Sequence, residues 1–187
     1  MKYDYKEKFS VEGKHCIVTG GAQGLSRGMA EALLENGCKV VLMDVQEEKL
    51  NQVVKEYCDM GYQAYGVCGN LADRSEIDRM FAEAMKILEG RLDVLIPAAG
   101  IQRRHLPEEF PIEEWDLVLN INLNHVFIMC QKALQVMLKM CIRDSYKCGQ
   151  IAAEYMLEKI LTDKKGDAAV ITYSEIEACI QRETLPL

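Results

Sequence analysis

A glycine-rich stretch near the start of the chain constrains the fold more than any other feature. An apolar run at residues 16–18 leads into the glycines of residues 19–26, and an amphipathic run over 25–36 follows. Glycine lacks a Cβ and tolerates positive φ, so such a turn can be tight and can approach a ligand closely. A helix beginning there would point unpaired N–H groups at the turn, which favours a phosphate. The pattern therefore predicts a strand, a phosphate-binding turn and a helix.

The same alternation continues along the chain. Apolar runs that predict strands lie at 15–19, 38–43, 64–68 and 92–96, and helical patterns lie at 25–36, about 50–57, 73–88 and about 113–140. In the first helix, Leu25, Met29, Ala32 and Leu33 share the face that we expect to be buried. Because only crossover helices fit between the strands, the sheet should be parallel and covered on both faces. We predict an α/β fold, a Rossmann-like doubly wound parallel sheet that ends after its fourth strand and a long helix.

Composition excludes several classes of function. The net charge of −7 is spread over 187 residues without a basic patch, so we expect no nucleic-acid partner. No apolar run approaches the roughly 18 residues that a membrane span needs. The eight cysteines form no Cys-x-x-Cys pair, and the three histidines are far from any cysteine pair. We therefore predict reduced thiols, no metal site and, with a polar N-terminus, a cytoplasmic location.

An acidic residue follows the second predicted strand. Asp44 lies twenty positions after Gly24, at the strand's carboxyl end. A carboxylate there can accept hydrogen bonds from both hydroxyls of an adenosine ribose, and it would repel a 2′-phosphate. The alternative is a solvated turn residue. Combined with the glycine turn one strand earlier, Asp44 favours ribose binding and hence NAD over NADP.

Several short motifs together resemble those of the short-chain dehydrogenase/reductase family, each at the corresponding position of the chain. They are Thr19-Gly20-x-x-x-Gly24-Leu25, Asp44, Asn70-Leu71, Ala98-Ala99-Gly100 and Asn122, and the resemblance covers residues 10 to about 140. Within that family, residues 100–104 and 120–123 resemble sugar-acid dehydrogenases of the gluconate type. The resemblance implies an NAD(P)-dependent oxidoreductase that passes a hydride between nicotinamide and the carbinol or ketone of a sugar acid or polyol. It also implies a homo-oligomer formed through the helix at 113–140.

The resemblance also implies roles for individual residues. Those expected to contact the dinucleotide are Gly20, Gln23, Gly24 and Leu25 at the pyrophosphate, Asp44 at the ribose, Asn70 and Leu71 at the adenine, and Ala99 and Gly100 at the nicotinamide ribose. Asn122 would be the family's helix asparagine, which holds a water in the catalytic proton relay. The alternative for Asn122 is an amide that is merely satisfied within an apolar helix.

Two arginines follow the fourth predicted strand. Arg103 and Arg104 should lie at the carboxyl edge of the sheet, where ligands bind in open α/β folds. Arginine pairs bidentately with carboxylates, so these residues are candidates for binding the carboxylate of a sugar acid. Two solvated loop arginines are the alternative.

The last part of the chain departs from the family. The family's chemistry implies a serine on a fifth strand and a Tyr-x-x-x-Lys pair on the next helix, but residues 141–149 contain no strand-like apolar run. Tyr155 and Lys159 have the right spacing. Tyr155, however, falls among the apolar residues that would form the buried face of an ordinary helix, and we predict that the two are not the catalytic pair. Residues 140–145 resemble translated sequencing adapter, and residues 146–187 resemble a fragment of a periplasmic sugar-binding protein.

These features predict two parts of different origin. Residues 1–140 would form an incomplete dinucleotide-binding domain, and residues 141–187 would be an unrelated, chimeric segment. The alternative function is accordingly a nucleotide-binding fragment without turnover.

Overall fold

The computed structural model describes residues 9–140. The predictions for residues 141–187, including those for Tyr155 and Lys159, lie outside the described residues. None of the helices within 9–140 is long and apolar enough to cross a membrane.

Four parallel strands form one sheet in the spatial order β3-β2-β1-β4. The strands are β1 (His15–Thr19), β2 (Lys39–Asp44), β3 (Ala64–Cys68) and β4 (Val94–Pro97). Ile17 of β1 is in register with Val41 of β2 on one side and with Leu95 of β4 on the other. The chain moves outward from β1 to β3 and then returns to the other side of β1. This reversal confirms the predicted Rossmann-like topology, and it creates a crevice beyond the carboxyl ends of β1 and β4.

Helices connect the strands and continue after β4. They are α1 (Gly24–Glu35), α2 (Glu47–Asp59), α3 (Arg74–Ile87), α4 (Ile112–Leu119) and α5 (residues 125–140), with a 3₁₀ turn at Pro107–Glu109. A π-helical turn at Asn120–Asn124 separates α4 from α5. Residues 112–140 are therefore helical throughout, as predicted for about 113–140, but the π-helical turn around Asn122 was not predicted.

Successive side chains of each strand enter two separate cores. Ile17, Val41 and Met43 pack in one cluster with residues of α3 and α5, including Met80 and Met129. Cys16, Val18, Val40 and Leu42 pack in the other cluster with residues of α1 and α2, including Leu34 and Leu50. Because strand side chains alternate between faces, near-continuous apolar strands indicate a sheet that is covered on both sides. The described helices provide that cover.

The buried face of α1 differs from the prediction. The buried residues are Ser26, Ala30 and Leu34, whereas Leu25 is 85% exposed and Met29 is exposed as well. Ala32 is also exposed, and Leu33 is only partly buried. Small side chains at 26 and 30 allow the helix to lie close to the sheet, and the Ser26 hydroxyl donates to the Ala98 carbonyl at 3.5 Å. The pattern of large apolar residues therefore pointed to the wrong side of this helix.

Candidate functional site

An open cavity of about 330 Å³ lies at the carboxyl edge of the sheet. The predicted dinucleotide contacts that line it are Gly20, Gln23, Gly24, Asp44, Asn70, Leu71, Ala99 and Gly100. Leu25 does not line the cavity, because its side chain points to the exposed side of α1. Further lining residues, to which the sequence analysis assigned no contact with the dinucleotide, are Ser26, Val45, Gln46, Gly69, Ala98, Ile101 and Ile121. Five of them follow strands, one lies in α1 and one in the π-helical turn, so only the folded arrangement brings them to one cavity.

The glycine turn after β1 lies in close contact with the backbone that follows β4. Gly20 has a φ of +70°, and its N–H donates to the Met43 carbonyl at 2.7 Å. A Cβ at position 20 would lie 2.9 Å from the Cα of Ala99. Position 20 therefore requires glycine for two reasons, the positive φ and the contact with backbone. Gly24 also has a positive φ, of +63°, but a Cβ there would meet nothing within 4 Å.

Asp44 is built into the floor of the cavity. Its side chain is only 6% exposed, so the alternative of a solvated turn residue does not hold. The carboxylate accepts the N–H of Ala22 at 3.1 Å and the N–H of Gln46 at 3.0 Å, one on each oxygen. Each carboxylate oxygen has a second lone pair, so both can still accept a hydrogen bond from a hydroxyl. Asp44 thus stabilises the glycine turn while keeping the capacity to bind a ribose.

One cation lies at the rim of the cavity. The Nζ of Lys49, in the first turns of α2, donates to the Oε1 of Gln23 at 3.0 Å. Lys49 is exposed, whereas Gln23 lines the cavity next to the glycine turn. The positive charge of Lys49 is therefore held beside Gln23, at the place predicted for the pyrophosphate.

Asn122 lies in the π-helical turn and is fully engaged with the loop after β4. Its Oδ1 accepts the N–H of Ile101 at 2.8 Å, and its Nδ2 donates to the carbonyl of the same residue at 2.9 Å. These are the contacts of a satisfied amide, although the residue itself is exposed rather than buried. The pair of bonds fixes the backbone beside Gly100. A role for Asn122 in a proton relay stays a prediction.

Arg103 and Arg104 lie on the exposed loop between β4 and α4, outside the lining of the cavity. The Nε of Arg103 is 3.4 Å from the carboxylate of Glu114, which also contacts His105 at 2.9 Å. Arg104 donates to the side chain of Gln102 at 3.2 Å. Both arginines therefore have local partners, and their role in binding substrate stays a prediction.

His125 was missed by the sequence reasoning. It is buried at the start of α5, and its Nε2 lies 3.3 Å from the Oγ1 of Thr19 at the end of β1. Burial lowers the pKa of His125 below its ordinary value. A single histidine in an apolar helix carries no motif, so only its position in the fold reveals the contact.

Among residues 9–140, no group of three His, Cys, Asp or Glu side chains could hold a metal ion. Cys16 and Cys38 are buried, and burial raises the pKa of both thiols. Thiols with raised pKa values are poor nucleophiles, so these two cysteines act as small apolar side chains.

Comparisons with known proteins find similar sequences and a similar fold. The profile of the short chain dehydrogenase family matches residues 14–151. The 5-keto-D-gluconate 5-reductase of Escherichia coli K12 is 34% identical over 131 residues, which are 70% of this chain and 51% of that protein. The 3-oxoacyl-acyl-carrier-protein reductase FabG of Thermotoga maritima is 33% identical over 129 residues, 69% of this chain and 52% of that protein.

A solved structure shows the same fold. The gluconate 5-dehydrogenase of Burkholderia cenocepacia J2315, crystallised with NADP and tartrate, matches with a TM-score of 0.63 at 27% identity, covering 69% of this chain and 50% of that one. The chain therefore spans about half the length of the curated relatives that it matches.

Proposed function

Since this chain belongs to the short-chain dehydrogenase family, we propose that its cavity binds a nicotinamide dinucleotide for hydride transfer to or from a carbinol or ketone. One observation carries this proposal. The glycine turn, Asp44, Asn70 and Gly100 lie at or just after the carboxyl ends of four different strands, yet they line one cavity at the point where the strand order reverses. In open α/β sheets this crevice is where ligands bind.

We propose that NAD is preferred over NADP. The buried carboxylate of Asp44 is held in place by two backbone N–H groups at the position expected for the adenosine ribose. A 2′-phosphate would bring a second negative charge against it in a partly desolvated site, which is unfavourable. Lys49 offsets part of this repulsion from the rim, but its charge is solvent-exposed and therefore screened.

We propose a sugar acid or polyol as the small-molecule substrate. The similarity to a 5-keto-D-gluconate 5-reductase supports this class, as does the position of Arg103 and Arg104 after β4. The loop that carries the arginines begins at the cavity wall, since Ile101 lines the cavity. Breaking the Arg103–Glu114 ion pair would free a guanidinium for a carboxylate.

We propose assembly with a second copy through α4 and α5. Trp115 of α4, Leu123 of the π-helical turn between them, and Phe127 and Leu134 of α5 are each more than half exposed. Exposed apolar side chains of this number on neighbouring helices favour an interface.

Replacing both arginines tests the substrate class. The double variant Arg103→Gln/Arg104→Gln should raise the KM for gluconate or 5-ketogluconate at least about tenfold, because one charge-assisted contact is worth roughly 1.5–3 kcal/mol. The KM for a neutral polyol should stay unchanged. Arg91→Gln is the matched control, since Arg91 pairs with Asp93 at the opposite edge of the sheet. Equal effects on acid and polyol would exclude the arginines as carboxylate ligands.

A second candidate function is dinucleotide binding without turnover. The observation that favours it is the engagement of both polar atoms of the Asn122 side chain with the backbone of Ile101. The same assay separates the two functions. Oxidation of NADH with 5-ketogluconate supports the oxidoreductase, and saturable NADH binding with no turnover supports the second function.

A further inference from the structure

His125 is a buried histidine whose chemistry the proposed function leaves unused. Its side chain is 0% exposed, and it occupies the first position of α5, directly after the π-helical turn. Burying an imidazole is costly unless its two ring nitrogens find partners. Both nitrogens of His125 have partners, and these partners lie on different elements of the fold.

The first partner is a carbonyl of the π-helical turn. The backbone N–H of His125 donates to the carbonyl of Asn120, five residues earlier, and not to that of Ile121 four residues earlier. The Ile121 carbonyl is contacted instead by the side chain of the same histidine, at Nδ1 of His125. A carbonyl oxygen only accepts hydrogen bonds, so Nδ1 must carry the proton.

The second partner lies at the end of β1. With the proton on Nδ1, a neutral ring presents a lone pair on Nε2, which can accept the hydroxyl proton of Thr19 at 3.3 Å. The oxygen of that hydroxyl then accepts the N–H of Ala99 at 3.0 Å. A continuous chain of hydrogen bonds therefore runs from the loop after β4, through Thr19 and His125, to Ile121.

The ends of this chain border the cavity. Ala99 and Ile121 both line it, and Thr19 is the residue before Gly20. Asn122, next to Ile121, holds the backbone of Ile101, another lining residue. A change at the buried ring would therefore reach both walls of the cavity through hydrogen bonds, without any contact between the ring and a ligand.

We propose that His125 is a positioning residue of the cavity, which as the neutral Nδ1–H tautomer ties the π-helical turn to the carboxyl ends of β1 and β4. The effect on dinucleotide affinity rests on the proposed function, whereas the tautomer and its two partners do not. No ionisable side chain of the described residues contributes to the pKa of His125, which is affected only by burial and by the Ile121 carbonyl.

Nitrogen NMR of the full chain tests the tautomer directly. In ¹⁵N-histidine-labelled protein, Nδ1 of His125 should have the shift of a protonated ring nitrogen and Nε2 that of an unprotonated one. Because burial lowers the pKa of His125, the ring should stay neutral as the pH falls through 6.5. Assignment of the proton to Nε2, or titration at the ordinary value, would overturn the proposal.

Matched variants test the positioning role. His125→Gln keeps an acceptor near the place of Nε2, His125→Asn keeps a polar group only near the place of Nδ1, and Thr19→Val removes the hydroxyl at nearly constant volume. We expect the Kd for NADH to rise about fivefold in His125→Asn and Thr19→Val, the effect of one lost hydrogen bond of roughly 1 kcal/mol. In His125→Gln it should rise less than about twofold.

The outcomes separate this proposal from the proposed function. Equal losses in the Gln and Asn variants, at temperatures where circular dichroism shows both to be folded, would mean that the ring only fills space. If the wild-type chain does not bind NADH, the proposed function fails. In that case two observations still decide the positioning role. The first is the tautomer. The second is protection of the Ala99 amide from hydrogen exchange in wild type but not in Thr19→Val. Fast exchange of that amide in both proteins would overturn it.

Discussion

Gly20→Ala is expected to lower the free energy of unfolding by about 2–5 kcal/mol and to weaken NADH binding at least tenfold. Two costs add at this position. A left-handed backbone conformation costs a residue with a Cβ roughly 1–2 kcal/mol, and φ is +70° here. The new Cβ would also lie 2.9 Å from the Cα of Ala99, and overpacking against backbone costs roughly 1–3 kcal/mol. Relief of this clash would separate β1 from β4 where the cavity lies.

Gly61→Ala is the matched control for this variant. Gly61 has a φ of +87°, but a Cβ there would meet nothing within 4 Å. It should therefore show only the cost of the positive φ, and NADH binding should be unchanged. Chemical denaturation gives the two unfolding free energies, and their difference measures the contact with Ala99. Equal losses in the two variants would show that β1 and β4 do not approach as closely as described.

Asp44→Ala is the second substitution with a large expected effect. It removes the acceptor of the Ala22 N–H, which is buried, and that of the Gln46 N–H. An unsatisfied buried N–H costs roughly 1–3 kcal/mol, so stability should fall by about that amount. The ribose would lose its carboxylate partner as well. We expect the Kd for NADH to rise at least tenfold, since hydrogen bonds to a charged group are worth roughly 1.5–3 kcal/mol.

The preference for NADH over NADPH distinguishes a contact of Asp44 with the ribose from its support of the backbone at Ala22 and Gln46. Loss of a structural support alone would weaken NADH and NADPH equally, whereas loss of the Asp44 charge should also remove repulsion of the 2′-phosphate. The ratio of the two Kd values should therefore approach one in Asp44→Ala. Glu47→Gln, which removes an exposed carboxylate in the first turn of α2, is the control and should leave the ratio unchanged. An unchanged ratio in Asp44→Ala would contradict ribose recognition by this residue.

The sheet could be predicted from the sequence because its signals are local. Each strand is a short apolar run, and side-chain alternation alone explains why Ile17 and Val18 enter different cores. The lining of the cavity by Gly20, Asp44 and Gly100 was likewise predictable. Residues that follow parallel strands must meet at one edge of the sheet, whatever the details of packing.

The errors concern features that depend on tertiary contacts. The face of α1 was misassigned because Ser26 and Ala30 are buried for their small size, whereas Leu25 is large and exposed. A count of large apolar residues cannot detect a close approach between helix and sheet.

The π-helical turn was missed for a similar reason. Its backbone pattern is accompanied by the contacts of Asn122 with Ile101 and of His125 with Thr19. These pairs are 21 and 106 residues apart in sequence. The helical periodicity of residues 113–140 does not indicate these contacts.

The most direct test of the central claim is a titration of the uniformly ¹⁵N-labelled chain with NADH, followed by the amide shifts of each residue. We predict saturable shifts that share one Kd at Gly20, Asp44 and Gly100, with little change at His15 and Asp93 on the opposite edge of the sheet. The absence of a saturable shift at the first three residues, or larger shifts at the opposite edge, would contradict a dinucleotide site in this cavity.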